Sequence, residues 1–244
     1  ALDEALKINP RNEEALFYKA QAASKAHNYE LAANVLQTLV EQEGEYKDRA
    51  RELFEQMHKA QLAAPQTVVG EKMLQTEAIT RGDLAALLVN ELGLLGMVNR
   101  RDPNFYATSN SDDGSDVSIV DINGHWAEPW IRDVVRVGAM DVYPDNSFRP
   151  NAPVQRMNFA MTLQNVFILV TGDRTLDTAF IGSAPRYPDV KPTHYAFNAI
   201  SLVTEYGIMG TNSLTGEFDL NGTVSGADAL IALRKLERAL NTTM

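Results

Sequence analysis

Cysteine is missing from all 244 residues, which excludes disulfides, thiol catalysis and cysteine-built zinc sites. That absence fits an extracytoplasmic location and is also common inside cells. Basic charge is scarce: 22 Lys and Arg face 32 Asp and Glu, a formal net charge of −10 that argues against nucleic acid or an anionic membrane as partner. No run approaches the roughly 18 consecutive apolar residues of a membrane span. The longest helix-like apolar region, 84–98, is broken by Asn90 and Glu91. No nucleophile elbow, phosphate loop, His-Glu-x-x-His or cofactor fingerprint occurs. Of the four histidines, His27 and His58 fall on exposed-looking helix faces, while His125 and His194 belong to a repeat described below. The sequence therefore nominates no catalytic residue, metal or cofactor and points to a protein that is not an enzyme. Apolar residues are ample at 45%, enough for a core in one or two domains.

From Ala1 to Gln61 apolar residues recur three or four apart, which predicts helices over 1–8, 13–26, 30–40 and 45–61. Asn9-Pro10 ends the first, because proline has no amide to continue a helix and pushes the residue before it out of helical geometry. Asn28-Tyr29 and Gly44 mark the next two turns. Ala20 and Ala32 sit where two antiparallel helices would approach most closely, with Leu16, Leu36 and Leu39 filling the gaps. These offsets resemble the tetratricopeptide repeat, covering one unit nearly whole from Glu13 to about Gly44. Lys19 and Ala23 stand where that family prefers large apolar residues, and Gly44 replaces its closing proline, so a generic helical hairpin remains the alternative. Such repeats are rarely stable in fewer than about three copies, which leads us to expect further repeat sequence before Ala1.

From about Ile79 the texture changes to turns, strand-like pieces and isolated helices. Eleven Arg and two Lys lie beyond this point, against three Arg and six Lys before it, which marks a boundary in composition. At an offset of about 70 residues the region matches itself. Asp121-Ile122-Asn-Gly-His125-Trp126-Ala127 recurs as Asp189-Val190-Lys-Pro-Thr-His194-Tyr195-Ala196. Amphipathic helices follow over 127–137 and 196–206, stopped by Gly138 and Gly207. Turn-rich stretches at 143–150 and 211–220 then read as tight hairpins returning Phe148 and Phe218 to the core, and second helices begin after Val154 and Val224. Ile79-Thr80-Arg81-Gly82-Asp83 is an earlier copy of that second-helix start.

This ordered series resembles the S-layer homology family, whose motifs gather around a pseudo-threefold axis and hold surface proteins on cell-wall polysaccharide, often a pyruvylated one. The resemblance implies a mainly α fold: a helical-repeat segment 1–61, a linker 62–78 and a pseudo-threefold helical domain 79–244 with short hairpins. That domain divides into a half motif 79–98, a loop 99–118, a motif 119–172 and a motif 187–240. The first copy lacks its front half, and the helical-repeat segment is expected to fill that place. Ser225-Gly226 in the third copy leaves out the arginine, so three equivalent grooves are not expected. Asp112-Asp113-Gly114-Ser115-Asp116 in the polar loop fails the EF-hand spacing and reads as a linker.

The resemblance nominates Arg156, Arg81, Asp121, Trp126, Gly138, Asp189, Tyr195 and Gly207 as ligand-binding residues. Each has a plainer structural role beside the functional one. Arg81 and Arg156 lie in a first helical turn, where a planar fork can take a carboxylate or phosphate, or can join a surface salt bridge. Trp126 and Tyr195 can stack on a sugar ring or pack in the core. Asp121 and Asp189 can cap a turn, and Gly138 and Gly207 can simply end helices. Thr80 with Asp83, and Ser225 with Asp228, have capping-box spacing. Arg156 is the expected principal contact, sharing its copy with Asp121, Trp126 and Gly138. A groove assembled across neighbouring copies, for instance with Arg81, is the alternative, and Arg234 and Arg238 on the final helix are expected to matter little.

These readings imply an attachment protein of the bacterial cell envelope or surface. Its partners are a cell-wall polysaccharide (anionic, pyruvylated or peptidoglycan) and a protein held by the helical repeats. The alternative is a protein-assembly scaffold in which the degenerate motif region serves only as a platform.

Overall fold

A computed structural model describes residues 2–103 and 118–243. Among them the regular structure is helical, with isolated β-bridges in place of strands. The polar run 112–116 lies outside the described residues. The chain divides into two compact units, Ala1–Ala64 and Pro65–Met244.

The first unit holds α1 (Leu2–Ile8), α2 (Glu13–Lys25), α3 (Tyr29–Val40) and α4 (Lys47–Ala63). Asn12 and Asn28 cap α2 and α3, each side chain accepting a first-turn amide, from Ala15 and Leu31. Ala20 and Ala32 are fully buried where α2 meets α3, and Leu16, Phe17, Leu36 and Leu39 form the core around them. Lys19, partly exposed, reaches Asp3 of α1 at 2.7 Å, which accommodates its charge.

The second unit contains α5 (Val68–Met73), α6 (Arg81–Asn90), α7 (Leu94–Arg101), α8 (Glu128–Arg136), α9 (Arg156–Thr171), α10 (Phe197–Glu205) and α11 (Gly226–Thr243). Asn90 and Glu91 do end α6, and Gly93 in left-handed geometry restarts the chain as α7. Three helices, α6, α9 and α11, begin around one axis. Just before them, Ile79 donates to Val224 (2.8 Å), Val224 to Val154 (3.2 Å) and Val154 to Ile79 (2.9 Å), a closed ring of backbone hydrogen bonds. All three side chains are buried. Bridges Thr80–Pro153 and Gln155–Thr223 extend two sides of the ring.

Helix pairing follows the same symmetry. α6 packs on α8, α9 on α10, and α11 on α5. The short helix α5 therefore stands where the first copy's front helix belongs. It comes from the stretch expected as a linker, rather than from the helical repeats that were expected to fill this place. The Gly226 amide donates to Thr76 O (2.8 Å), as Arg81 donates to Ala152 O (2.9 Å) and Arg156 to Gly222 O (2.8 Å).

A buried ion pair fastens this arrangement. The Glu91 carboxylate, fully shielded from solvent, accepts from Arg234 of α11, from Thr67 Oγ1 and from the Gln66 amide. Arg234 is thus a core residue with a structural part to play. Its acidic partner lies far away in sequence, on the end of α6, so the pair is not visible in the local pattern.

Candidate functional site

Each copy's hairpin is held from two directions. Asp121 accepts from the amides of Phe148 and Arg149, both at 2.7 Å. Asp189 does the same for Phe218 (2.9 Å) and Asp219 (2.8 Å). The geometry gives no support to a ligand role for these aspartates: both oxygens of each carboxylate are committed to hairpin backbone, the turn-holding role that was their plainer reading. Arg149 and Asp219 adopt left-handed φ of 56° and 60°, and the aspartate grip is what stabilises that uncommon geometry. Phe148 and Phe218 are fully buried below, as expected.

The second grip comes from the preceding copy. Arg81, on the first turn of α6, donates Nε to Phe148 O and Nη2 to Asp141 O, both at 2.7 Å. Arg156, on the first turn of α9, donates to Phe218 O (2.8 Å) and Gly210 O (2.7 Å). Their guanidinium carbons lie 4.5 Å and 4.7 Å from the Phe148 and Phe218 ring centroids. Among the described residues neither arginine makes the surface salt bridge that was the plainer expectation; each reaches across a copy boundary to carbonyl oxygens. Burial lowers the proton affinity of the Arg81 guanidinium, and the positive charge of Arg149 adds to that effect, although arginine stays charged in proteins.

Two grooves result. One, of about 200 Å³, is walled by Arg81, residues 139–143, and Asn158, Met161, Thr162 and Asn165 of α9. The other, of about 120 Å³, is walled by Arg156, residues 208–210, and Asp228, Ile231, Ala232 and Lys235 of α11. In each case the arginine of one copy meets the hairpin of the next. The complete middle copy therefore contributes its hairpin to the Arg81 groove, and Arg156 serves the third copy.

Gly138 and Gly207 end α8 and α10 at φ of 74° and 65°, where a Cβ would meet nothing within 4 Å. Their requirement for glycine is conformational, and the groove walls begin at the residue after each. Trp126 is 44% exposed and Tyr195 68% exposed, so neither is a core residue, and neither lines an arginine groove. Trp126 meets Trp130 edge-on at 5.4 Å, and Lys72 of α5 sits 5.5 Å over its ring. Tyr195 stacks on His194 at 4.5 Å. His125 and His194 each accept the amide two residues on through Nδ1 at 3.2 Å, a local capping role for the repeated histidine. Trp130 and Lys72 escaped the sequence reading. Trp130 follows Trp126 by one helical turn, a spacing visible in sequence, whereas Lys72 approaches only through the packing of α5.

The S-layer homology domain family model matches residues 118–160 and 186–230, the two complete copies of the second unit. Two relatives come from Acetivibrio thermocellus. A cellulosome-anchoring protein is 27% identical over 128 residues, 51% of this chain and 24% of that protein. Cell surface glycoprotein 1 is 29% identical over 89 residues, 36% of this chain and 4% of that protein. The chain thus spans no more than about a quarter of either relative. Together, the matched domain and the relatives indicate a cell-envelope or cell-surface location. Among the described residues no helix is long and apolar enough to cross a membrane.

Proposed function

We propose that this chain is a non-catalytic attachment protein whose second unit grips an anionic cell-wall polysaccharide, a pyruvylated polymer or peptidoglycan, chiefly in the Arg81 groove. The first unit, which resembles tetratricopeptide repeats, holds a protein partner. The observation that carries this reading is the placement of Arg81 in the wall of the larger groove, clamped by Nε and Nη2 while, among the described residues, Nη1 takes no acceptor. A guanidinium fixed in advance loses little freedom when a carboxylate arrives. Arg156 offers the same arrangement in the smaller groove. Trp126 presents an exposed indole for a sugar ring. The anchoring named for one relative supports the same role.

Retention on purified cell-wall sacculi tests the proposal. A charge-assisted contact contributes roughly 1.5–3 kcal/mol, so Arg81→Ala should weaken retention about tenfold or more. Arg81→Lys should recover only part, and Arg156→Ala should weaken it less than Arg81→Ala. Folding is checked by thermal unfolding of each variant. The third inter-copy position, closed by α5 against Gly226, favours a second reading: a scaffold in which this unit is only a platform. Retention unchanged in both folded arginine-to-alanine variants would establish that scaffold reading instead.

A further inference from the structure

The two arginine grooves are built on the same plan but walled by different chemistry. Four positions of α9 line the first: Asn158, Met161, Thr162 and Asn165. At the same helical positions, α11 puts Asp228, Ile231, Ala232 and Lys235 into the second. On its α9 side the first groove thus offers two primary amides, with Asp141 in its hairpin wall, and on its α11 side the second offers a carboxylate and an ammonium. Asp228 already takes a hydrogen bond from Ser225 Oγ at 2.6 Å, so it serves its own helix start. Asn158 occupies the position where α6 carries the capping acid Asp83 and α11 carries Asp228. No acidic residue stands in the first turn of α9, and Gln155 supplies no side-chain cap. Helix stability therefore does not account for asparagine at 158. Asn158 and Asn165 are both partly exposed, and among the described residues neither amide is held by another side chain.

We infer that Asn158 and Asn165 are specificity-determining residues that make the Arg81 groove selective for a sugar bearing both a carboxylate and neutral hydrogen-bonding groups. This rests on the proposal that the arginine grooves bind wall glycan. An amide donates and accepts from one planar group, as pairing with a hydroxyl or an acetamido group requires. Arg81 takes the carboxylate; Asp141 is the acid of the hairpin wall, and α9 adds none. The Arg156 groove, with Asp228 and Lys235 at the matching positions of its wall, has no such amides to pair with the neutral groups and takes such a sugar poorly.

The probes are N-acetylmuramic acid, which joins a carboxylate and an acetamido group on one ring, and N-acetylglucosamine, which lacks the carboxylate. Each is titrated into the whole 15N-labelled chain, following the side-chain amide signals of asparagine. N-acetylmuramic acid should shift the Asn158 and Asn165 signals and bind more tightly than N-acetylglucosamine. Asn158→Ala and Asn165→Ala should each weaken it about fivefold, the effect of one lost hydrogen bond. Asn158→Asp is the sharper variant: an acid in the first turn should raise the melting temperature while lowering affinity for N-acetylmuramic acid. Affinity unchanged in both alanine variants, with Arg81→Ala still weakened on sacculi, overturns the assignment of the asparagines alone. Sacculi retention indifferent to both arginines overturns the underlying groove proposal. Equal binding of the two probes, or binding of neither by the wild-type chain, overturns the acidic-sugar selectivity.

Discussion

At the scale of single residues, the polar side chains around each hairpin hold the chain that holds the ligand groove. Arg81 is the clearest case, since two of its donors fix the Phe148 turn before any glycan is considered. Asp145 works inside the same hairpin. The Ser147 hydroxyl and amide, followed by Arg149, hold its carboxyl down to about 2 from the ordinary 3.8. Because the folded value lies below the ordinary one, the support Asp145 gives is complete above 3.8 and is lost as the pH falls through about 2. The Ser147 amide resonance should hold its position from neutral pH down to near 3 and move only below that. In Asp145→Asn the same resonance should be displaced already at neutral pH, and a wild-type resonance titrating near 4 would contradict the assigned cause. Much of this was legible in sequence: the Asp, His-Trp-Ala, Gly and Phe elements and their spacing located the correct turns. Which copy each arginine serves was not. An arginine side chain crosses to the neighbouring copy, and a linear repeat records only order along one strand of chain.

At the scale of elements, helix boundaries were read well because they rest on local signals. The helices expected over 127–137 and 196–206 appear as α8 and α10, one residue shorter at each end. α5 was missed as a helix because its six residues are too few to show periodicity, and it is stabilised by what it packs on. Gly226 shows how closely it packs: a Cβ there would lie 1.8 Å from Met73 O. The lost arginine of the third copy and the shortened front half of the first are therefore one feature. Gly226→Ala should displace α5 and lower the unfolding midpoint, and an unchanged midpoint would refute this account of the glycine. The Glu91–Arg234 pair anchors the same helix from its other side. Removing one partner of a buried pair leaves an uncompensated charge and typically costs about 3–5 kcal/mol. Arg234→Ala should thus be among the most destabilising single changes in urea unfolding, whereas Arg238→Ala, on the same helix, should cost little. Equal effects for the two arginines would mean that the pair carries no such burden.

At the scale of the whole molecule, one further term opposes the local attraction on which the proposed function rests. The chain carries a formal net charge of −10, while the cation of the Arg81 groove is a single arginine. The overall field repels such a polymer at long range, and Arg81 attracts its carboxylate only at contact. Salt separates the two, because the screening length falls from about 30 Å at 0.01 M to about 3 Å at 1 M. Repulsion between well-separated charges disappears early in that range. A partly buried contact is screened less and later. Retention of Arg81→Ala on wall polymer, which keeps the repulsion but loses the contact, should therefore rise as salt is added. Wild-type retention should change less, the early relief of repulsion being offset by gradual weakening of the contact. The ratio of wild-type to variant affinity should accordingly be largest at low salt and shrink steadily towards 1 M. A ratio independent of salt would assign the Arg81 effect to altered packing of the Phe148 hairpin, and a ratio that grows with salt would mean that charge plays no part in the attachment.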